Sequence, residues 1–446
     1  VLVALLPRLP EGLVVRGDSP ELTLVALTQG IAHAPGYPLW TRLAGAWLAL
    51  SPGEPAVALS VMGVVLIALS TGILARLLAD LGARPLAAAG LAAAWALLPP
   101  HWGSVLAPEV YALELLLWVG ALTAAHRDRP GTAGLLAALA TSHRPLGLVL
   151  VGALLVQGPR RRLLGGLLLG AALGGLAYLD LGLRAQDPDT AWVDAVLLDR
   201  PLGWLAGEGL PDNGLNINIV DNSPVFLLQS WGAQAALWVL GLAGLLAAPT
   251  PGARSLRPLA LAAAALGLWA LLWPVTDPQS AVLPLFLLAA LGWARTVGRW
   301  RPTGPLALAG ATAMALLNGG AAPDTPAARA TLTHAASTLP PGTVVFVDDW
   351  TWRTALSLQD GDLIIIPEGS TGHCAPPEHW VPGARRWAPE QRTEHRLPDA
   401  VVVWGAQARA CAEDAGWTVA SESDQPWAWA QSAAVPPRPT DTGAVR

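Results

Sequence analysis

The sequence predicts a polytopic α-helical membrane protein of about eleven spanning segments with a small C-terminal α/β extracytoplasmic domain. Three observations predict it. Of 446 residues, 53% are hydrophobic and 13% charged, with a mean hydropathy of +0.45, against roughly 25% charged in soluble domains. Apolar runs of near-spanning length follow one another through residues 1–320, with arginines gathered in alternate connections. Over residues 321–446 the pattern turns to charges, prolines and short β-rich runs.

The charge balance narrows the partners. The formal net charge is −5 and all 27 basic residues are arginine, so no basic stripe exists to neutralise phosphates, and nucleic acid is set aside. The lipid bilayer is the partner that the composition requires. Val1–Leu6 carries neither a charged n-region nor a small-residue cleavage site, so it reads as the tail of a first spanning helix rather than a signal peptide.

Taken in order, the spanning segments fall near 1–10, 56–79, 86–100, 109–125, 132–142, 145–157, 163–181, 232–248, 258–275, 279–297 and 303–318. Orientation follows from arginine, which is retained on the cytoplasmic side. With the first helix running outward, Arg76 and Arg84, Arg127 and Arg129, Arg160–Arg162, Arg254 and Arg257, and Arg295, Arg299 and Arg301 all lie inside. The acidic loops, with Asp18, Glu21, Glu109, Asp187 and Asp221 among their residues, then lie outside. This alternation requires 132–142 and 145–157 to be two short helices meeting at Thr141–Pro145.

The first outer loop, residues 11–55, has helical apolar spacing over Glu21–Gln29 and again over Leu39–Leu50, interrupted by the Ala34–Pro38 run. It reads as two interfacial helices. In the C-terminal part, Thr343–Val347, Leu363–Ile366 and Ala400–Trp404 read as strands, alternating with helices over 325–338, 350–359 and 405–415. Cys374 and Cys411, the only two cysteines, both fall in this outer domain. An oxidising compartment there would permit a disulfide, and sequence leaves the pairing open.

Several residues could carry chemistry, each with a plainer role beside it. Asp18-Ser19-Pro20-Glu21 before an apolar run has the spacing of a capping box, and a cap would also hold a carboxylate within reach of an incoming hydroxyl. His33-Ala34-Pro35-Gly36-Tyr37-Pro38 is either a rigid interfacial turn or a turn that presents His33 to the cleft beside Asp18. Glu109, at the outer start of a helix, can serve as a dipole partner. Glu114 lies deeper in that helix, where an ionisable group is costly and normally faces a cavity or a partner. His143 and Arg144 sit at the tip between the two short helices, and the guanidinium suits either a nearby acid or a lipid phosphate. Asp277 reads as a helix cap, and His373, Cys374 and His379 read as exposed loop residues rather than a metal site. Trp192 and Trp204 could stack on sugar rings.

Asp18-Ser19-Pro20-Glu21, His33-Ala34-Pro35-Gly36-Tyr37-Pro38 and Pro108-Glu109-Val110-Tyr111, joined by the Asp277–Pro284 turn and Leu339-Pro340-Pro341-Gly342, resemble a particular family. It comprises bacterial membrane proteins related to the eukaryotic transmembrane O-mannosyltransferase acting on plexin-type domains. The resemblance covers most of the chain and is strongest over residues 16–125. Pro20 stands where the family usually has glycine, Ala34 replaces a proline, and Gln279 follows Asp277 where an acid is common.

The resemblance implies the C-type fold of polytopic glycosyltransferases, in the bacterial cytoplasmic (inner) membrane, with the active site and C-terminal domain on the extracytoplasmic side. It implies a polyprenyl-phosphate sugar donor and a protein or glycan acceptor. It also implies Asp18 as catalytic carboxylate with Glu21 beside it, and a substrate site shaped by His33, Tyr37, Glu109 and Tyr111. His143 and Arg144 are added on physical grounds, Arg144 as the phosphate contact. No cofactor is required by the pattern, and a divalent metal stays open. The competing expectation is a transporter or lipid-handling protein without chemistry, since Gly/Pro-interrupted helices such as 132–157 occur there too.

Overall fold

The computed structural model describes residues 1–33, 35–156, 161–184, 241–247, 256–272, 283–317, 326–340, 343–347, 355–356, 358, 364–367, 400–414, 417–421 and 427–432. The chain divides into two compact units, residues 1–14 with 25–324 and residues 15–24 with 325–446.

The first unit is helical. After α1 (Leu2–Leu5) and a 3-10 turn at Leu6–Arg8 come α2 (Ser19–Thr28), whose first turns belong to the second unit, and α3 (Pro38–Leu50). Next are α4 (Pro55–Asp80), α5 (Pro85–Ala96), α6 (Pro99–Leu106), α7 (Tyr111–His126), α8 (Pro130–His143), α9 (Gly147–Val156) and α10 (Arg161–Arg184). Then follow α11 (Arg257–Leu272), α12 (Leu283–Thr296) and α13 (Thr303–Leu317). Helices α3, α4, α5, α6 and α8 open on proline, whose missing N–H costs nothing in the first turn and whose φ is already helical.

Among the described residues, α4 and α10 are long and apolar enough to cross a membrane, at 26 and 24 residues. Helices α5, α7, α9 and α12 are apolar but shorter. On α10, Leu164, Leu168, Leu169, Leu173, Leu176, Leu179 and Leu183 are all exposed, a leucine surface suited to hydrocarbon rather than water. The opposite side of α10 meets α8 at very short range. A Cβ on Gly166 would sit 1.9 Å from the Gly131 carbonyl oxygen, and one on Gly134 would sit 2.3 Å from that of Leu163. Glycine at these positions lets the two backbones touch, as small residues do between membrane helices.

The segment expected as one helix over 86–100 is broken. Helix α5 stops at Ala96, Leu98 is extended (φ −61°, ψ 140°), and α6 starts at Pro99. A residue before proline is pushed out of the α region, so Pro99 sets this break. Helices α8 and α9 are likewise separate, with Arg144 extended between them (φ −143°, ψ 134°) and Gly147 folded back onto the Ala140–Thr141 backbone. Of the expected 232–248 helix only residues 241–247 are described, and 241–246 are helical.

The first unit's core surrounds Trp95 and Trp118, both fully buried, with leucines and alanines of α4, α5, α7, α8 and α12.

The second unit contains α14 (Pro326–Thr338), α15 (Ala406–Asp414) and a five-stranded mixed sheet in the order β2-β1-β3-β5-β4. Strand β1 (Val344–Val347) pairs parallel with β2 (Ile364–Pro367), Val344 opposite Ile364, and with β3 (Ala400–Trp404), Val345 opposite Val402. Strands β4 (Trp417–Ser421) and β5 (Trp427–Ser432) close the other edge antiparallel. Pro367 is tolerated because β2 is an edge strand.

The sequence reading anticipated β1, β2 and β3 and missed β4 and β5. Their signal is the alternation Trp427-Ala428-Trp429-Ala430, a period of two carried by bulky residues among small ones. Of the helix expected over 350–359, only residues 355, 356 and 358 are described. Trp192, Trp204, Asp277, His373, Cys374 and His379 lie outside the described residues, and with Cys374 the question of its pairing to Cys411.

Candidate functional site

Asp18 stands immediately before α2 in the N-cap position, its carbonyl accepting from the Leu22 amide at 2.8 Å, and Glu21 falls three residues on. That is the spacing of the anticipated cap. Asp18 is half-buried and Glu21 fully buried. Along the continuous stretch from Asp18 to His33, one ligand atom from each of Asp18, Glu21 and His33 lies within 4.8 Å of the others. Two carboxylates and an imidazole at that spacing could hold a divalent cation or share a proton.

The turn that carries His33 is shaped by two left-handed residues in succession. Gly36 has φ +83° and Tyr37 φ +42°. The Gly36 amide donates to the His33 carbonyl at 2.7 Å, closing the turn. Tyr37 pays the Cβ penalty of the left-handed region, about 1–2 kcal/mol, and Pro38 after it disfavours the right-handed alternative. The Tyr37 carbonyl then accepts from both the amide (3.0 Å) and hydroxyl (3.2 Å) of Thr41, which anchors it to α3.

In this conformation the Tyr37 hydroxyl lies 3.3 Å from His33 Nε2, and the two rings meet edge to face at 5.4 Å. The same phenol ring lies 5.9 Å from the ring of His143 at the end of α8. His143 is fully buried, and its Nε2 is 3.0 Å from the Val110 carbonyl. A carbonyl only accepts, so Nε2 carries the hydrogen, and Nδ1 has no hydrogen-bond partner among the described residues. The contact with Val110 brings the start of α7 to this place, with Glu109 half-buried one residue before and Tyr111 one residue after.

Arg144 is 9% exposed and forms an ion pair with Glu114, which is fully buried on α7. Its guanidinium lies over the Tyr111 ring, 4.8 Å from the centroid. Of the two roles open to Arg144 from sequence, the acid partner is thus realised. Only Nη1 is committed to Glu114. Glu114, unusual in a spanning helix, is not among the residues that the resemblance places in the site. Its signal was there: a carboxylate one helical turn after Tyr111, needing a buried partner that Arg144 supplies.

A helical framework with a lipid-suited face therefore carries two polar groups in one neighbourhood. One is a turn of imidazole and phenol, and the other is a buried guanidinium held by acid and aromatic ring. Residues 18–155 match the family model for the N-terminal domain of the protein O-mannosyl-transferase TMEM260. The relation anticipated from the three motifs therefore holds over that stretch, which begins on Asp18 and includes Glu21, His33, Tyr37, Glu109, Tyr111, His143 and Arg144. The crystal structure of ArnT from Cupriavidus metallidurans in the apo state is similar at 15% identity over 96% of each chain, with a TM-score of 0.44. No curated protein matches the chain.

Proposed function

We propose that the protein is a membrane glycosyltransferase that moves one sugar from a polyprenyl phosphate to an acceptor hydroxyl on the extracytoplasmic face, with inversion. The observation that carries this reading is the family match over residues 18–155, because the aligned stretch includes every residue of the site. The family's name makes mannose the first sugar to try and a protein hydroxyl the first acceptor.

The chemistry assigns a step to each group. The acceptor oxygen attacks the anomeric carbon, the bond from that carbon to the phosphate oxygen breaks, and the hydroxyl proton passes to the Asp18 carboxylate. The polyprenyl phosphate departs with the bonding pair. Its developing charge is met by Arg144, whose Nε and Nη2 are not engaged by Glu114. Glu21 and His33 hold Asp18 in place, and Tyr37 orients His33 through the hydroxyl contact. Glu109 and Tyr111 line the start of α7 beside them. The set Asp18, Glu21 and His33 suits a divalent cation, which would supply a positive charge for the phosphate.

The test is a transfer assay in nanodiscs with radiolabelled polyprenyl-phosphate sugars and a membrane extract as acceptor. Asp18→Asn is expected to lower transfer by about 100-fold or more, the scale of losing a general base, with expression and melting unchanged. Full turnover by Asp18→Asn would remove Asp18 from the chemistry. No label from any donor with the wild-type protein would overturn the transferase reading.

A further inference from the structure

We propose that Gln29, Arg42, Asp180 and Arg184 form a clamp that fixes the His33–Tyr37 turn against the end of α10, and that they are positioning residues for the proposed transfer site. The inference rests on the functional reading for its catalytic consequence but on geometry alone for the clamp.

The turn leaves α2 through Gln29, which is left-handed at φ +52° although it is not glycine. The Gly30 amide donates back to the Val25 carbonyl at 3.1 Å, the six-to-one bond of a Schellman ending, where glycine is the usual occupant. The glutamine side chain bonds in three directions. Nε2 donates to the Ala26 carbonyl at 3.0 Å and to the Thr41 carbonyl at 3.2 Å, and Oε1 accepts from Arg42 Nη1 at 2.9 Å. A Cβ on Gly45 would lie 1.7 Å from Gln29 Nε2, so α3 carries a glycine where this amide crosses it.

The far side of the clamp comes from residues about 140 positions away in the chain. Arg42 grips Asp180 with both forks, Nε to Oδ2 at 3.0 Å and Nη2 to Oδ1 at 2.5 Å. Arg184, one turn on along α10, pairs with the same carboxylate at 3.2 Å. It also donates from Nη1 to the Gln29 carbonyl and, at 2.9 Å, to the Gly30 carbonyl. The carbonyls that end α2 thus receive a cation, the favourable sign for a helix C-terminus. A two-point arginine–carboxylate grip fixes direction as well as distance. Three residues beyond Gly30 stands His33. Both ends of the turn are therefore fixed, by Thr41 holding Tyr37 on one side and by the clamp holding Gln29 and Gly30 on the other.

Asp180 is a clean handle because it touches neither His33 nor Tyr37 and lies outside the matched stretch of 18–155. The experiment uses the full chain in nanodiscs with Cys374 and Cys411 replaced by serine and a single reporter, Leu39→Cys, beside the turn. Three forms are compared: Asp180, Asp180→Asn and Asp180→Glu. Thiol labelling of the reporter is expected to rise several-fold in Asp180→Asn and to return toward the starting rate in Asp180→Glu. In the transfer assay Asp180→Asn is expected to lower kcat by about tenfold, within the range for misplacing a catalytic group by under an ångström, with KM for donor changed less than kcat. The conservative acid should restore part of kcat.

Labelling that does not change in Asp180→Asn, with the protein still folded, overturns the clamp. A loss of kcat that only tracks the loss of folded protein overturns the positioning role. Should the wild type transfer no sugar, the functional reading fails by itself, and the labelling comparison still decides whether the clamp exists.

Discussion

The His33–Tyr37 turn and the Glu114–Arg144 pair lie close together but are held by opposite means. The turn is local, with His33 half-buried and Tyr37 buried. Its parts are at most four residues apart, its central tyrosine is in a conformation that favours glycine, and its hydroxyl–imidazole contact is 3.3 Å, at the long end for a hydrogen bond. The pair joins two helices across thirty residues, sits deep in the first unit and is backed by the Tyr111 ring. A group that must give and take a proton benefits from a loose, adjustable contact. A group that must offer a fixed positive charge benefits from burial and a permanent counter-ion. The difference fits the proposed roles of proton handling and phosphate binding, and it can be broken at either end.

The largest effect is expected at the pair. Removing one partner of a buried ion pair leaves the other charge uncompensated, at a cost of about 3–5 kcal/mol. Glu114→Leu should therefore lower thermal stability in detergent sharply, and Arg144→Met should do the same. The double variant removes both charges and is expected to recover most of the lost stability, since apolar replacement of a buried pair is often neutral or better. Transfer should not recover with it, because the phosphate contact is gone. A double variant that melts like wild type and also transfers sugar at the wild-type rate would leave Arg144 a structural residue only.

His101 supplies a control on that argument, being buried like Arg144 but without its partner. It is 1% exposed, its ring meets Trp95 edge to face at 4.9 Å and lies tilted to Phe286 at 6.1 Å, and neither ring nitrogen has a hydrogen-bond partner among the described residues. Replacing an unsatisfied buried polar group by an apolar one of similar shape removes a penalty of about 1–3 kcal/mol. His101→Phe is expected to raise the melting temperature and leave transfer unchanged. A fall in transfer with a rise in stability would instead show that His101 meets substrate.

The two regions also differ in how far sequence revealed them. The turn was legible because it is contiguous: two prolines, a glycine, a histidine and a tyrosine in six residues announce a shaped loop. The α4 and α10 spans were legible from hydropathy, and the break at Thr141–Pro145 from the alternation of arginines. What could not be read was anything set by tertiary approach. The pairing of Arg144 with Glu114 and the grip of Arg42 on Asp180 depend on distances between segments thirty or more residues apart in the chain. The split of 86–100 was readable in principle, since Pro99-Pro100 carries the signal, but an apolar run on both sides hid it.

The smallest expected effect lies in the turn itself and discriminates most finely between the two modes of holding. Tyr37→Phe keeps the ring against His33 and His143 and deletes only the hydroxyl, a contact whose net worth is about 0.5–1.5 kcal/mol at most. Stability should fall by no more than that. If Tyr37 orients His33, kcat should fall by several-fold, because the imidazole loses the contact that fixes its direction. Tyr37→Gly provides the opposite perturbation, since it relieves the left-handed backbone at φ +42° but removes both ring contacts. A Tyr37→Phe protein with full kcat would mean that the backbone of the turn, held by Thr41 and Gln29, places His33 without the phenol. The two variants together therefore separate what the chain conformation contributes from what the hydroxyl contributes.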